Sequence, residues 1–422
     1  MPGMRLSFDG MSKKGMMILV DQAVASATNF LTGVIIGRSC TREEFGLYML
    51  GFTVVLLVIN LQSALITAPF TVFSPRLEGN AYARYFGSTL LHHLGLSVLV
   101  IFGLTAGALL SRESGANGLA SVLWILVGVS AFIMLREYAR QICFASLTLK
   151  TALVLDSSVS LFQLGGLLTL AYLGVLSASF AYLIIGIGCG ISGVTWVFIR
   201  RSNYALRPRE AILDLGRNWA LAKWLVAGAL AFAVSQQSYP WLLAAYHGNA
   251  ATGVLSACMG VLFVANPFLI GMGNFLGPKV AHAFADGGTR HLESVVTKGT
   301  LFFALTMGIF CLTMILFGGS FVVLVYGSQY AGNGPVVGVL ALSQFASAVT
   351  FPANYGLNAL ERPDIGFGSY LLALGVTFTL GLFLVKSLGP MGVACGLLAG
   401  NVTASVYRYF GFKTQLRRLR SQ

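Results

Sequence analysis

The sequence has 422 residues, of which 56% are hydrophobic and only 10% are charged, with a mean hydropathy of +0.79. A soluble domain carries about 25% charged residues, so this composition excludes a soluble globular protein and predicts a membrane protein. A net charge of +13 would suggest nucleic-acid binding in a soluble protein, but here Lys and Arg first serve as topology signals. The six cysteines stand singly without metal-type spacing. We therefore expect no disulfide framework, no metal centre, no cofactor and no nucleic-acid partner.

About twelve apolar segments, each close to the roughly 20 residues that cross a bilayer, follow one another along the chain. The predicted spans lie near 16–36, 46–68, 86–110, 118–135, 151–174, 178–199, 219–245, 250–273, 294–318, 333–359, 366–386 and 390–411. The fourth can continue as a helix to about residue 146, which would place Arg136 and Arg140 beyond the membrane surface. The sequence thus predicts an all-α polytopic membrane protein.

The basic residues are distributed unevenly between the two sides of this layout. With the N-terminus in the cytoplasm, 23 of the 27 Lys and Arg residues fall on the cytoplasmic side. The four on the outer side are Arg38, Arg42, Arg112 and Lys386. This asymmetry fits the positive-inside rule for an even number of spans. We predict a multi-pass protein of the cytoplasmic (inner) membrane with both termini in the cytoplasm, in contact with anionic membrane lipids.

The chain divides near its middle. A basic connection at 200–218 separates a predicted six-helix bundle at 1–199 from a second at 219–422, which ends in a basic tail. An internal repeat supports this division, since Gly46-Leu47 is echoed by Gly253-Val254 half a chain later. Two parallel six-span halves are a transporter design.

Several spans carry polar residues at helical spacing. Single Ser or Thr residues more often bond one helix to another, but stripes on the first span of each half favour a water-filled cavity between helices. The candidate cavity and coupling residues are Asp21, Gln22, Asn29, Asp156, Gln163, Gln236, Gln237, Ser343, Ser347, Asn354 and Asn401.

Two carboxylates, Asp21 and Asp156, lie inside apolar spans, where a charge is costly and usually faces water or a partner. One hypothesis is H⁺ or Na⁺ coupling. The other is an ion pair near the interface, with Lys14 for Asp21 or Lys150 for Asp156. Basic residues near the cytoplasmic ends of spans are candidates for binding a phosphate-bearing head group. These are Arg140, Lys150, Lys223 and Arg408.

Catalytic motifs are missing from the sequence. It contains no G-x-x-x-x-G-K-[ST] loop, no G-x-S-x-G elbow and no H-E-x-x-H pair, and the outer loops are too short and too poor in acidic, Arg and His residues for a glycan-transferring enzyme. We therefore expect a protein that is not an enzyme.

Several short motifs resemble the polysaccharide flippases, which share one exporter superfamily with the multidrug and toxin exporters. They are Asp21-Gln22 with Asn29, Gly37-Arg38, Glu43 to Tyr48, Arg140-Gln141 with Phe144-Ala145, and Gln237 to Gly248. The resemblance covers essentially the whole chain and implies a MATE-like exporter fold. It also implies transfer of a polyprenyl-pyrophosphate-linked oligosaccharide to the outer leaflet by alternating access. Expected partners are that lipid-linked oligosaccharide, a polysaccharide polymerase and a chain-length regulator.

Two alternatives stay open. A drug or metabolite antiporter of the same fold would use coupling at Asp21 or Asp156, and an intramembrane glycan polymerase or ligase would alter the glycan itself. The sequence departs from the flippase family in one respect. Family members often place basic residues within the cavity, whereas the clear intramembrane charges here are acidic.

Overall fold

The computed structural model describes residues 8–421, except for the side chains of residues 8–15, 224, 228, 229, 231, 232, 235, 236, 274 and 421. Residues 8–421 form helices and short connections, with no strand among them. The α-helices are α1 Phe8–Ser39, α2 Arg42–Gln62, α3 Ala68–Phe73, α4 Gly79–Glu113, α5 Asn117–Ala145, α6 Leu149–Tyr172, α7 Ala178–Ile199, α8 Pro208–Leu262, α9 Asn266–Tyr326, α10 Gly334–Val349, α11 Phe351–Ala359, α12 Pro363–Val376, α13 Leu382–Leu388 and α14 Pro390–Ser421.

Two of these helices are bent at a glycine. Gly248 in α8 has φ of 79° and Gly288 in α9 has φ of 59°, a conformation that glycine adopts without steric cost. When α8 and α9 are divided at these bends, and short helices that continue one another are joined, residues 8–421 form twelve helical rods. Nine stretches of this part of the chain are long and apolar enough to cross a bilayer. The prediction of an all-α polytopic membrane protein is confirmed.

Prolines mark two further breaks. Pro267 lies in the first turn of α9, directly after a 3₁₀ turn at Phe263–Ala265, and Pro352 lies in the first turn of α11. Proline suits a first turn because the amide it lacks would have no helical acceptor there. At Pro240, by contrast, α8 continues, and its bend falls eight residues later at Gly248.

The chain forms two compact units. Unit 1 contains residues 1–40 and 47–234, and unit 2 contains residues 41–46 and 235–422. In unit 1, α5 packs against α4 and α7, while α1 packs against α6. Its core is rich in aromatic rings, including Phe86, Tyr138 and Trp196. In unit 2, α10 packs against α9 and α14, and α12 packs against α14.

The connection predicted at 200–218 is partly helical. It contains a 3₁₀ turn at Arg201–Asn203, and α8 already begins at Pro208. The start of α8 is fixed to α4: the Tyr85 hydroxyl donates to Asn218 Oδ1 over 2.8 Å, and Arg84 lies 3.4 Å from Glu210. The segment up to residue 234 therefore belongs to unit 1. The three-part division at 1–199, 200–218 and 219–422 stays a prediction.

Each unit also contains one π-helical turn, which holds one residue more than an α-turn. Ser63–Thr67 connects α2 to α3 in unit 1, and Thr377–Gly381 connects α12 to α13 in unit 2. Just before the first, the buried Gln62 amide donates to the Met134 carbonyl of α5 over 3.0 Å. Against the second, the Tyr239 ring packs so closely that a Cβ on Gly381 would lie 2.6 Å from its hydroxyl oxygen.

Two glycines of the internal repeat meet at a backbone-to-backbone helix crossing within unit 2. A Cβ on Gly46 would collide with the Asn249 carbonyl, and a Cβ on Gly253 would collide with the Arg42 carbonyl. Small residues let helices approach to this distance in membranes. The crossing therefore explains why glycine occupies both repeat positions.

We expect Gly253→Ala to destabilise the protein, because the added methyl group meets rigid backbone rather than a movable side chain. Overpacking of this kind costs about 1–3 kcal/mol. Gly375→Ala is the matched control, since Gly375 lies in α12 of the same unit and a Cβ there meets open space. The measurement is denaturant unfolding in detergent micelles, where the control should be neutral or slightly stabilising. Equal stabilities of the two variants would contradict the crossing.

Candidate functional site

A buried charge cluster begins at the hairpin of α5 and α6. The connection between these helices is short, residues 146–148, so they are antiparallel neighbours. Arg136 and Arg140 are one turn apart on α5, and Asp156 is two turns into α6. Antiparallel packing brings these three side chains to a similar height along the two helix axes.

Asp156 is held by both arginines. Its Oδ1 accepts a hydrogen bond from Arg136 Nη2 at 2.7 Å, and its Oδ2 accepts one from Arg140 Nε at 2.6 Å. The Asp156 side chain is fully buried, and that of Arg140 is 14% exposed. Charge-assisted hydrogen bonds of this length are about twice as strong as neutral ones. Burial and charge compensation therefore occur together at this carboxylate.

A third helix joins the cluster through Asp21 of α1. Arg140 Nη2 donates to Asp21 Oδ2 at 2.9 Å, so one guanidinium group bridges α1 and α6. Asp21 and Asp156 thus lie at one site, and arginines are the ion-pair partners of both. Lys150 is exposed, and the side chain of Lys14 lies outside the described residues.

The cluster carries one more negative than positive charge. Glu137 lies 3.2 Å from Arg136 and 3.6 Å from Arg140, so two guanidinium groups face three carboxylates. Asp21 Oδ1 is buried and accepts no hydrogen bond from any described residue. Within the described part of the chain, no group of three or more His, Cys, Asp or Glu is arranged to hold a metal ion. The cluster therefore contains one buried carboxylate oxygen, Asp21 Oδ1, that no described donor satisfies.

The polar residues of α1 fall on two faces. Its buried face bonds to α6, with Thr28 donating to Ser160 over 2.7 Å and Gln163 donating to Thr32 over 2.7 Å. Two candidate cavity residues, Gln22 and Asn29, are on the exposed face instead. Gln163 therefore acts as a helix-to-helix contact, while Gln22 and Asn29 are accessible.

In unit 2 the predicted polar stripes of α10 and α14 pair with each other. Asn401 Nδ2 donates to Ser343 Oγ at 2.9 Å, and Thr350 Oγ1 donates to Ser405 Oγ at 3.0 Å. The other candidates in this unit, Ser347, Asn354 and Gln237, are half-buried. The side chain of Gln236 lies outside the described residues.

The predicted phosphate-binding residues are in different environments. Lys150 and Lys223 are exposed, and Arg140 is paired with carboxylates. Arg408 of α14 is 6% exposed, and its Nε donates to Ser369 Oγ of α12 at 2.8 Å. No carboxylate lies within 4 Å of the Arg408 guanidinium among the residues that the structure describes.

That Arg136 and Arg140 lie beyond the membrane surface stays a prediction, but the charge cluster that contains Asp21 and Asp156 is not purely acidic, because these two arginines belong to it. α5 extends as expected, to Ala145, and both guanidinium groups reach Asp156, while that of Arg140 also reaches Asp21. Sequence reasoning missed Arg136 and Glu137 as members of the site. The available signal was the roughly equal distance of Arg140 and Asp156 from the turn at 146–148, which aligns them in an antiparallel hairpin.

Comparison with known proteins bears on this architecture. Neither a family model nor a curated relative matches the sequence, but solved structures do. An inward-facing multidrug resistance MATE family transporter of the MOP superfamily matches with a TM-score of 0.76 and 14% identity, over 94% of this chain and 96% of the other. The chain has the fold of the MOP superfamily transporters.

Two more structures of this fold match. The lipid II flippase MurJ in an inward closed conformation has a TM-score of 0.75 and 13% identity, over 93% of this chain and 87% of the other. A MOP superfamily transporter from Pyrococcus furiosus, described as having a binding pocket of reverse polarity, also matches. It has a TM-score of 0.63 and 13% identity, over 96% of this chain and 95% of the other. Identities this low establish the fold, and with it a multi-pass membrane protein, while the substrate is a separate question.

We expect Asp156→Asn to destabilise unit 1 strongly, because it removes the fully buried carboxylate that accepts hydrogen bonds from both guanidinium groups. Breaking one partner of a buried ion pair costs about 3–5 kcal/mol. Glu113→Gln is the control, since Glu113 is an exposed carboxylate at the end of α4 and its replacement should change stability by less than about 0.5 kcal/mol. The measurement is the free energy of unfolding in detergent. If the two variants unfold alike, the cluster is not a stabilising ion network.

Proposed function

We propose that the protein is a flippase that transfers polyprenyl-pyrophosphate-linked oligosaccharide units across the cytoplasmic membrane by alternating access, for the synthesis of a surface polysaccharide or exopolysaccharide. The lipid part would remain in the bilayer while the sugars cross a polar cavity. The fold supports a transporter of this kind, since it is shared with the lipid II flippase MurJ. It is equally shared with a multidrug resistance transporter, so the choice of substrate depends on the residues.

The observation that carries the proposal is the pairing of Asp21 and Asp156 with arginines. A site for a cationic drug needs carboxylates that are free to meet the drug. Here both oxygens of Asp156 and one of Asp21 already accept from guanidinium groups within 2.9 Å. A protein whose buried acids are already paired with arginines is better suited to an anionic substrate, such as a pyrophosphate-linked lipid, than to a cationic one.

The surroundings of the protein follow from the same proposal. The excess of Lys and Arg on one side of the predicted layout supports a cytoplasmic membrane location with both termini in the cytoplasm. There the protein would receive completed lipid-linked units and deliver them to a polymerase with its chain-length regulator. No catalytic step is assigned to the protein itself.

The test is deletion of the gene in its host, followed by labelling of spheroplasts with a membrane-impermeant glycan probe. A flippase predicts that complete repeat units accumulate on the cytoplasmic leaflet, hidden from the probe, and that surface polysaccharide is lost until the wild-type gene is restored. If the units reach the outer leaflet without being polymerised or ligated, the protein is instead a glycan-processing enzyme. Unchanged surface glycan would favour small-molecule export.

A second candidate function, cation-coupled antiport, is favoured by one specific feature. The cluster has an excess negative charge, and the buried Asp21 Oδ1 accepts no hydrogen bond from the described residues. The charged groups around it are Arg140, Arg136 and Glu137 of α5 and Asp156 of α6. Proton uptake at Asp21 would remove the negative charge that attracts Arg140 to α1, which gives the carboxylate a means of coupling a proton to helix movement.

We expect Asp21→Asn, which imitates the protonated acid, to abolish the pH dependence of transport if the proton is coupled at this site. Transport is measured in proteoliposomes with and without an imposed pH gradient. Glu113→Gln, which removes an exposed carboxylate outside the cluster, is the control and should keep the wild-type pH profile. If Asp21→Asn transports with an unchanged rate and pH profile, Asp21 has no part in coupling.

A further inference from the structure

Arg408 is the one predicted phosphate-binding residue that is buried without a carboxylate partner among the described residues. Arg408 is 6% exposed, and its guanidinium carbon lies 5.2 Å from the centre of the Tyr370 ring. Taking a cation out of water costs several kcal/mol unless an anion compensates it. In unit 1 carboxylates provide this compensation. At Arg408 the described partners are a neutral hydroxyl and an aromatic ring.

The hydrogen bonds of Arg408 can be counted donor by donor. Ser369 Oγ donates its own proton to the Gly366 carbonyl at 2.6 Å and accepts from Arg408 Nε at 2.8 Å. A guanidinium group has five N–H donors, and this contact uses one. The four on Nη1 and Nη2 have no hydrogen-bond acceptor among the described residues. The group is therefore oriented by Ser369 while its two terminal nitrogens remain available.

Small residues let polar groups of α11 and α14 approach α12 closely next to Ser369. A Cβ on Gly366 would lie 3.3 Å from Asn354 Oδ1, and a Cβ on Gly368 would lie 3.2 Å from the Tyr407 hydroxyl. The first two turns of α12 thus contact an amide of α11 and a phenol of α14 on either side of Ser369. The ring of Tyr370, 43% exposed, marks where this region reaches the surface of the unit.

We propose that Arg408, oriented by Ser369, is a binding site for a phosphate group, and that its occupant is the pyrophosphate of the lipid-linked substrate. This assignment of the occupant rests on the flippase function proposed above. Two parallel N–H groups of a guanidinium fork match two oxygens of one phosphate. A phospholipid head group or free pyrophosphate offers the same chemistry, so the experiment must distinguish these sources.

The experiment is equilibrium binding to the purified full chain in detergent, with three probes: farnesyl diphosphate, inorganic pyrophosphate and dioleoyl phosphatidylglycerol. We expect Arg408→Gln to weaken farnesyl diphosphate binding by about tenfold or more, as the loss of a charge-assisted hydrogen-bond pair implies. Arg408→Lys keeps the charge but not the fork, and should weaken binding by a smaller factor. Arg417→Gln, an exposed arginine of the same helix, should bind like the wild type.

Stability provides an independent readout. Because Arg408 is buried with only a neutral acceptor among the described residues, ligand-free Arg408→Gln should melt at or above the wild-type temperature, opposite to the loss expected for Asp156→Asn. Added farnesyl diphosphate should raise the melting temperature of the wild type and leave that of Arg408→Gln unchanged. A ligand-free Arg408→Gln that melts well below the wild type would overturn the proposal, because Arg408 would then have a structural partner.

The outcomes separate the site from the function. Unaltered binding of every probe to Arg408→Gln overturns the site. Binding of phosphatidylglycerol as tightly as farnesyl diphosphate, with the same dependence on Arg408, upholds a phosphate site and overturns its assignment to the substrate. If Arg408-dependent binding is found but gene deletion leaves the glycan unchanged, the site stands and the flippase function fails. If binding does not depend on Arg408 but gene deletion traps the repeat units on the cytoplasmic leaflet, the flippase function stands and the site fails.

Discussion

Charge compensation among Arg136, Arg140, Asp21 and Asp156 is the constraint on which unit 1 depends. In an apolar bundle each of these groups alone would cost several kcal/mol, so the three helices that carry them are stable only when they bring the charges together. Arg140 contributes most to this, because its Nε and Nη2 atoms point to acids on two different helices. The network thereby fixes the relative register of α1, α5 and α6, which apolar packing in lipid would leave weakly specified.

Unit 2 is organised by weaker forces. Its helices α10 and α14 are joined by neutral pairs such as Asn401 with Ser343, and hydrogen bonds of this type in membranes contribute about 0.6 kcal/mol each. Its buried cation, Arg408, has only a neutral acceptor among the described residues. The two units therefore differ at their buried cations, since the arginines of the unit 1 cluster meet carboxylates, while Arg408 of unit 2 meets a neutral hydroxyl among the described residues. Sites that sacrifice stability in this way are commonly functional ones.

The sequence predicted the helical class and its extent because long apolar runs, Gly and Pro are local signals. It also identified Asp21 and Asp156 as the unusual residues, since a carboxylate in an apolar run is conspicuous by itself. It could not assign their partners. Arg136 and Arg140 follow the apolar core of the fourth span, where basic residues usually mark the membrane surface, and only the tertiary approach of α6 reveals that they meet Asp156.

The polar stripes show the same limit of prediction from sequence. Helical spacing identified the polar residues of α1 correctly but could not distinguish its two faces. One, with Thr28 and Thr32, bonds to α6, while the other, with Gln22 and Asn29, is exposed. Spacing alone cannot say which of two adjacent stripes a neighbouring helix will cover, because that depends on contacts distant in sequence.

The π-helical turns at Ser63–Thr67 and Thr377–Gly381 affect where the chain can lose a residue. An α-helix advances by about 100° per residue, so a deletion within a regular helix rotates every side chain beyond it and turns residues that face a neighbouring helix toward lipid. A π-turn takes up one residue more than an α-turn, so losing one residue there can restore a regular α-helix whose flanking residues keep their faces. We infer that a single-residue deletion is better tolerated at these two turns than elsewhere in the helices that contain them.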